Sequence, residues 1–325
     1  MNMKTLVVDR DAKIFVKEVP LPRYTSKQAL VRTVSCGICG TDLKLAELSF
    51  KGFPREAYPL MLGHEGVGRV VEVGSEVVSF QPGDVVLLPF TEDDPELYGD
   101  LHSAWGAFSE YGVVSDAAAY APGTAPEAAY AQQVVPPGID PVDAAMIVTL
   151  REVLSNIKYF GIKERDRVVV FGSGPVALTF LKLMRLRGIR NTIAVVRSDY
   201  KKELAFQAGA AYVLDSTKCE VAVEVRRIFS GGARYVLDAV GSPEILSQAM
   251  ALIADRGEIL CYGVPAVDRM RLDWSGAPYN WKLNFQQMPS KKEEAEQYAC
   301  VLKWIREGKI RLRVISLIIL SLPIF

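Results

Sequence analysis

The stretch Val168-Val169-Val170-Phe171-Gly172-Ser173-Gly174-Pro175-Val176-Ala177 decides how the chain is read. Four apolar residues suited to a buried strand run into a glycine turn, and an apolar pattern of helical period follows. Glycine at 172 permits the tight turn. Glycine at 174, lacking a Cβ, lets a pyrophosphate approach the helix N-terminus, where free N–H groups and the helix dipole stabilise an anion. Ala177 stands where a third glycine is common and still leaves a small residue at the contact between helix and strand. Gly172, Gly174, Pro175 and Val176 are therefore predicted to hold the diphosphate of a dinucleotide.

Downstream of this turn, strands and helices alternate. Strands are predicted over Thr192–Val196, Tyr212–Leu214, Tyr235–Ala239 and Glu258–Tyr262, with helices over Val176–Arg187, Lys201–Ala208, Val221–Phe229 and Pro243–Ile253. Such alternation implies an α/β domain, a doubly wound parallel sheet with helices on both faces. The residue that selects the adenosine ribose is expected about twenty positions after the glycine turn, at the end of the second strand. There the chain reads Ala194-Val195-Val196-Arg197-Ser198, with no acid at the strand end to accept bonds from a 2′-hydroxyl. Arg197 and Ser198, helped by Lys201, suit a 2′-phosphate, so NADP is favoured over NAD; Asp199 would serve NAD if the strand ran longer. Gly241, just past the strand Tyr235–Ala239, is a further predicted cofactor contact.

Upstream the pattern differs. Short β-branched runs separated by Gly and Pro, Thr5–Val8, Ile14–Val19, Ala29–Cys36, Gly68–Val73, Asp84–Leu88 and Ala107–Val114, predict a β-rich barrel or sandwich. The Ala-rich stretch Asp116–Gln132 reads as a surface loop or weak helix, or as a lid. A helix is predicted over Asp143–Phe160 before the glycine turn, and Lys291–Gly308 is amphipathic and ends at a glycine. After Lys309 the chain turns almost wholly apolar, which suits a buried terminal strand or an altered reading frame. The 325 residues, half of them apolar, suffice for two ordinary cores. Thirty-eight basic residues balance thirty-eight acidic ones, so no net charge draws the chain to nucleic acid or an anionic membrane. Five cysteines without a secretory signal point to a reducing, cytoplasmic setting, and the longest apolar run, Val314–Phe325, is too short to span a bilayer.

Two further motifs precede the glycine turn: Ser35-Cys36-Gly37-Ile38-Cys39-Gly40-Thr41-Asp42 and Gly63-His64-Glu65-Gly66. With the nucleotide motif, in this order and spacing, the chain resembles the zinc-containing medium-chain dehydrogenase/reductase family, the alcohol, polyol and sugar dehydrogenases, nearest the glucose and sorbitol dehydrogenase branch. The resemblance covers about residues 3 to 305. It implies a GroES-like β-rich catalytic domain over 1–146, a Rossmann NAD(P)-binding domain over 147–285, and a segment 286–325 that returns to the catalytic domain. It implies that Cys39 and His64 ligate a catalytic zinc and that Glu65 lies beside the metal, able to coordinate it. Asp42 then orients the histidine and Thr41 passes the substrate proton, while Cys36 by itself reads as a buried small apolar residue. Use of Cys2His at a catalytic zinc in alcohol dehydrogenase is a general example of such a ligand set.

The chain departs from the family pattern in three places. Counting back 24 residues from Gly172, where a third ligand is expected, lands on Val148. Valine cannot ligate; Glu65 with water, or Glu152, completes the site, or zinc is held weakly or not at all. Between Leu87 and Tyr120 there is no cysteine, so no structural zinc is expected, and Lys44 stands where some relatives end the proton relay with histidine. For substrate, Glu110, Glu152 and Asn284 resemble the hydroxyl-binding carboxylates and asparagine of the sugar branch. The resemblance thus implies an oxidoreductase that moves a hydride between NADP(H) and a secondary alcohol or aldehyde carbon of a sugar, polyol or related alcohol, as a homodimer or homotetramer, through the strand near Leu260. A zinc-free NADPH-dependent enone or quinone reductase, and a nucleotide-binding protein without turnover, are the competing readings.

Overall fold

The computed structural model describes residues 1–267 and 269–315, which divide into two compact units. The first holds residues 1–151, 290–305 and the described residues from 310 on; the second holds 152–289 and 306–309. The predicted boundaries at 146 and 285 thus fall at 151 and 289. Thr149 and Arg151, at the end of the first unit's main segment, bond to groups of that unit.

The first unit contains β1 (Asn2–Val8), β2 (Ile14–Pro20), β3 (Gln28–Gly37), α1 (Gly40–Ala46), β4 (Leu60–Met61), β5 (Glu65–Val73), β6 (Val85–Leu87), α2 (Pro95–Tyr98), β7 (His102–Ser103), β8 (Tyr111–Ser115), α3 (Glu127–Ala131) and the start of α4 (Pro141–Tyr159). Two four-stranded sheets form, in the orders β2-β1-β4-β7 and β6-β5-β3-β8. Alternation of side chains along each strand builds the cores: Met3 and Val7 from β1 pack with Val19, Met61 and Leu101, and Val31 from β3 packs with Val70, Val86 and Val114. The predicted strand Ala107–Val114 begins only at Tyr111. Its first half crosses between sheets, Ser109 bridging Thr5 of β1 and Phe108 donating its N–H to Leu62, before Tyr111 joins β3.

In the second unit follow β9 (Arg167–Phe171), α5 (Pro175–Leu186), β10 (Asn191–Val196), α6 (Asp199–Ala208), β11 (Tyr212–Asp215), α7 (Val221–Ile228), β12 (Ala233–Asp238), α8 (Pro243–Met250), β13 (Ile253–Cys261) and β14 (Trp281–Phe285). The strands form one sheet of order β11-β10-β9-β12-β13-β14, parallel at every pairing. Parallel strands covered on both faces need continuous apolar runs, which Val168–Phe171 and Ile193–Val196 supply. The sheet is the doubly wound, Rossmann arrangement predicted, and strand order reverses at β9, whose end carries the glycine turn. Strand β13 starts five residues before the predicted Glu258. Leu260 lies within it between β12 and β14, fully buried, so the outer strands of this sheet are β11 and β14 and not the strand of Leu260.

The predicted helix Lys291–Gly308 is two, α9 (Lys291–Glu296) and α10 (Tyr298–Arg306), with Gln297 between them. Ile310 and Leu312 are buried, and the segment expected as a terminal strand starts instead as a helical turn, α11 (Leu312–Ile315); residues 316–325 lie outside the described residues. No helix among the described residues is long and apolar enough to cross a membrane.

The Ala-rich stretch is anchored within the first unit. Ala129 and Ala131 are buried, and the wholly buried Arg151 donates to the carbonyl of Ala131 at 2.9 Å and to Gln133 Oε1 at 2.5 Å, its guanidinium 5.5 Å from the ring of Tyr298. Methionine at 151 fills similar space yet strands those acceptors. Arg151→Met is expected to lower unfolding free energy by about 2 kcal/mol, read as a lower denaturant midpoint at unchanged slope; an unmoved midpoint counts against this role.

Candidate active site

One end of the β3/β5 pair gathers the residues of both N-terminal motifs. Gly37 and Glu65 lie opposite each other in the antiparallel register, so the chain leaving β3 and the chain entering β5 meet there. Cys39 follows β3 and caps α1: its sulfur accepts the N–H of Thr41 at 3.2 Å, while Asp42 Oδ2 accepts the N–H of Cys39 at 2.8 Å. This reciprocal cap fixes the cysteine and aspartate relative to one another. His64, immediately before β5, presents Nε2 to the Cys39 sulfur at 3.1 Å and Nδ1 to Asp42 Oδ1 at 3.2 Å. The second approach lies off hydrogen-bond alignment, and both atoms are buried without another partner.

Donor atoms of Cys39, His64 and Glu65 all lie within 4.8 Å of one another. A thiol, an imidazole nitrogen and a carboxylate oxygen are donors zinc accepts, and the other histidine nitrogen facing a carboxylate is the arrangement metal-ligating histidines use. The residues fit zinc. Burial works to lower the His64 pKa, but Asp42 and the Cys39 sulfur outweigh it and raise the value well above the ordinary imidazole range. Burial, with the charges of Asp42 and Glu65, pushes the Cys36 thiol far up; its sulfur lies against the carbonyl of Gly37, and it is outside the donor cluster. Val148 is buried and apolar.

Several neighbours were not anticipated. Thr149 Oγ1 donates to Glu65 Oε1 at 3.1 Å; it follows Val148 directly, so the segment searched for a ligand held the signal. Trp105, at φ +68°, stands with its ring centroid 5.3 Å from that of His64 and 5.9 Å from that of Phe53. Aromatic contacts at such distances carry no sequence signature.

In the second unit Gly172 takes φ +123°, and a Cβ there would lie 3.2 Å from Ala177 and Val240. Gly174 precedes α5 with no side chain capping the helix, Pro175 occupies its first turn, and a Cβ on Gly174 would meet no protein atom. The first-turn amides, that of Val176 among them, thus have no side-chain cap, the kind of helix start an anion suits. Gly241, at φ +84°, donates its N–H to the buried Asp238 and packs against Val264. Arg197 is exposed at the end of β10, Ser198 caps α6, and Lys201 Nζ lies 3.3 Å from the carbonyl of Ser173 in the glycine turn. Asp199 is bonded by Lys218 at 2.6 Å and by Lys202 at 3.2 Å, which hold its pKa down.

The predicted substrate residues are scattered. Glu110 Oε2 accepts the N–H of Lys4 at 2.7 Å in the first unit. Glu152 Oε1 accepts from the hydroxyl of Tyr262 at 2.5 Å in the second; the metal-donor cluster among the described residues does not include it. Asn284 sits on β14.

A metal-donor cluster on one unit and a dinucleotide cradle on the other define a dehydrogenase, and comparison with known proteins agrees. The alcohol dehydrogenase GroES-like domain matches residues 25–123 and the zinc-binding dehydrogenase domain matches 175–287. An alcohol dehydrogenase of Geobacillus stearothermophilus is 30% identical over 277 residues, covering 82% of this chain and 78% of its own. An L-threonine 3-dehydrogenase of Pyrococcus abyssi is 28% identical over 264 residues, 76% of this chain and 71% of its own. The crystal structure of benzyl alcohol dehydrogenase from Acinetobacter calcoaceticus shares the fold, with a TM-score of 0.79 at 20% identity, covering 97% and 91% of the two chains. This chain belongs to the zinc-containing medium-chain alcohol dehydrogenase family.

Proposed function

We propose that the chain is an NADP-preferring dehydrogenase that moves a hydride between the nicotinamide and a secondary alcohol or aldehyde carbon, with a single zinc held by Cys39, His64 and Glu65. The convergence of those three donors in front of Asp42 carries the reading. Zinc, when bound, lowers the pKa of a ligated alcohol or polarises a carbonyl. Asp42 orients the imidazole of His64 through Nδ1. Thr41, the second residue of α1 and bonded through its amide to Cys39, supplies the hydroxyl that passes the substrate proton. Trp105 gives His64 an aromatic neighbour, and Phe53 backs Trp105 in turn.

On the second unit the amides after Gly174 hold the pyrophosphate, and Arg197, Ser198 and Lys201 hold the 2′-phosphate. Asp199, already paired with two lysines, makes a poor ribose acceptor. Sugars and polyols are the first substrates to test. The family resemblance at Glu110, Glu152 and Asn284 is what puts sugars first, Glu110 being bonded to Lys4 and Glu152 to Tyr262. Family precedent favours a homodimer or homotetramer, the balanced charge an enzyme independent of nucleic acid and membrane, and the sparse cysteines a cytoplasmic setting. Val148 favours one rival, a zinc-free NADPH-dependent enone or quinone reductase.

Initial rates on a panel of sugars, polyols, simple alcohols and enones with NADP and NAD test the proposal. Oxidation of a member of the first three groups, faster with NADP, is expected. Tight NADPH binding with no turnover of any member would leave a nucleotide-binding protein, and reduction of enones alone would favour the rival.

A further inference from the structure

Three features converge on the Glu65 carboxylate. Its Oε1 accepts the hydroxyl proton of Thr149 at 3.1 Å. Its Oε2 lies over Gly37, where any Cβ would overlap it. Its third neighbourhood is the donor cluster with Cys39 and His64. A threonine hydroxyl inside a helix ordinarily bonds back to a carbonyl one turn earlier. Thr149, buried in α4, reaches the carboxylate instead.

The geometry points to Thr149 and Gly37 as positioning residues that hold Glu65 as the resident third ligand of the metal, replacing the ligand Val148 cannot supply. This rests on the zinc reading above. Helix α4 is seated on the strand that feeds the site, since Ser35 Oγ of β3 donates to the carbonyl of Pro141 at 2.9 Å. Thr149 is therefore fixed within the same unit as Cys39, His64 and Glu65. A donated hydrogen bond at one carboxylate oxygen fixes the plane of the group within the donor cluster, and the missing side chain at Gly37 makes the room. A carboxylate free to rotate would be a weak, transient ligand; one fixed by the Thr149 hydroxyl, with room beside Gly37, stays in place.

Zinc affinity, measured by competition with a chromophoric chelator, separates this from a merely structural role for Thr149. Thr149→Val keeps the shape and removes the donor; it is expected to bind zinc about 10- to 100-fold more weakly than the parent chain, the usual effect of losing a partner behind a ligand. Thr149→Ser restores the hydroxyl and is expected to recover most of the affinity. Gly37→Ala displaces the carboxylate from its other side and is expected to weaken zinc likewise, an independent route should the helix variant fold poorly. Cobalt(II) substitution adds a readout independent of turnover: the visible absorption of the parent and Thr149→Ser proteins should coincide, and that of Thr149→Val should differ. Parental affinity and an unchanged cobalt spectrum in both Thr149→Val and Gly37→Ala would overturn the inference alone. A parent chain that binds no zinc would overturn the metal reading, and the inference with it.

Discussion

Replacing His64 by alanine is expected to lower kcat/KM by at least about 1,000-fold, since the Lewis-acid contribution of a catalytic metal amounts to several kcal/mol and each 1.36 kcal/mol is tenfold in rate. The imidazole holds two positions together: Nε2 faces the Cys39 sulfur and Nδ1 faces Asp42. Without it the donor cluster keeps one thiolate and one carboxylate, too few to hold zinc against water. His64 lies in the first unit and the dinucleotide cradle in the second, so NADPH binding, followed by its fluorescence, should be unchanged. Loss of turnover with retained cofactor binding is the signature of a metal role. A variant with parental kcat/KM would exclude His64 from the chemistry.

Arg197→Asp should reverse the cofactor preference. The guanidinium stands exposed where the second strand of the dinucleotide fold ends, and a charge-assisted contact to a phosphate contributes about 1.5–3 kcal/mol. Removing that contact and adding a carboxylate able to accept from a 2′-hydroxyl shifts the ratio of kcat/KM for NADP over NAD by about 100-fold or more toward NAD, at about 1.4 kcal/mol per tenfold. Steady-state rates with both cofactors measure it. A parent chain with the lower KM for NAD would show that Arg197 plays no part in ribose selection.

The dinucleotide fold was legible in the sequence because its determinants are local. A buried strand, a glycine at φ +123° and an uncapped helix start occupy ten consecutive residues, and the physics of the turn requires those residue types in that order. Cys39, His64 and Glu65 were legible as motifs, and β3 and β5 explain why residues 25 apart meet. The rest depends on how the chain crosses between sheets. Residues 107–110 looked like one strand with 111–114, yet Ser109 pairs with β1 while Tyr111 pairs with β3, a switch that alternation alone does not encode. Thr149 was hidden for another reason: a threonine in a helix reads as a packing residue until its partner, 84 positions away, is known. Glu110 carries a carboxylate in a family-like position, and only the structure shows one oxygen engaged by the backbone of Lys4.

Metal content against activity tests the central claim most directly. Protein purified without added metal should contain about one zinc per chain, the number a three-residue catalytic site holds, and should lose alcohol oxidation on chelation and regain it on adding zinc back. Metal content near zero with full activity would contradict the account, leaving Cys39, His64 and Glu65 as a polar cluster without a metal role.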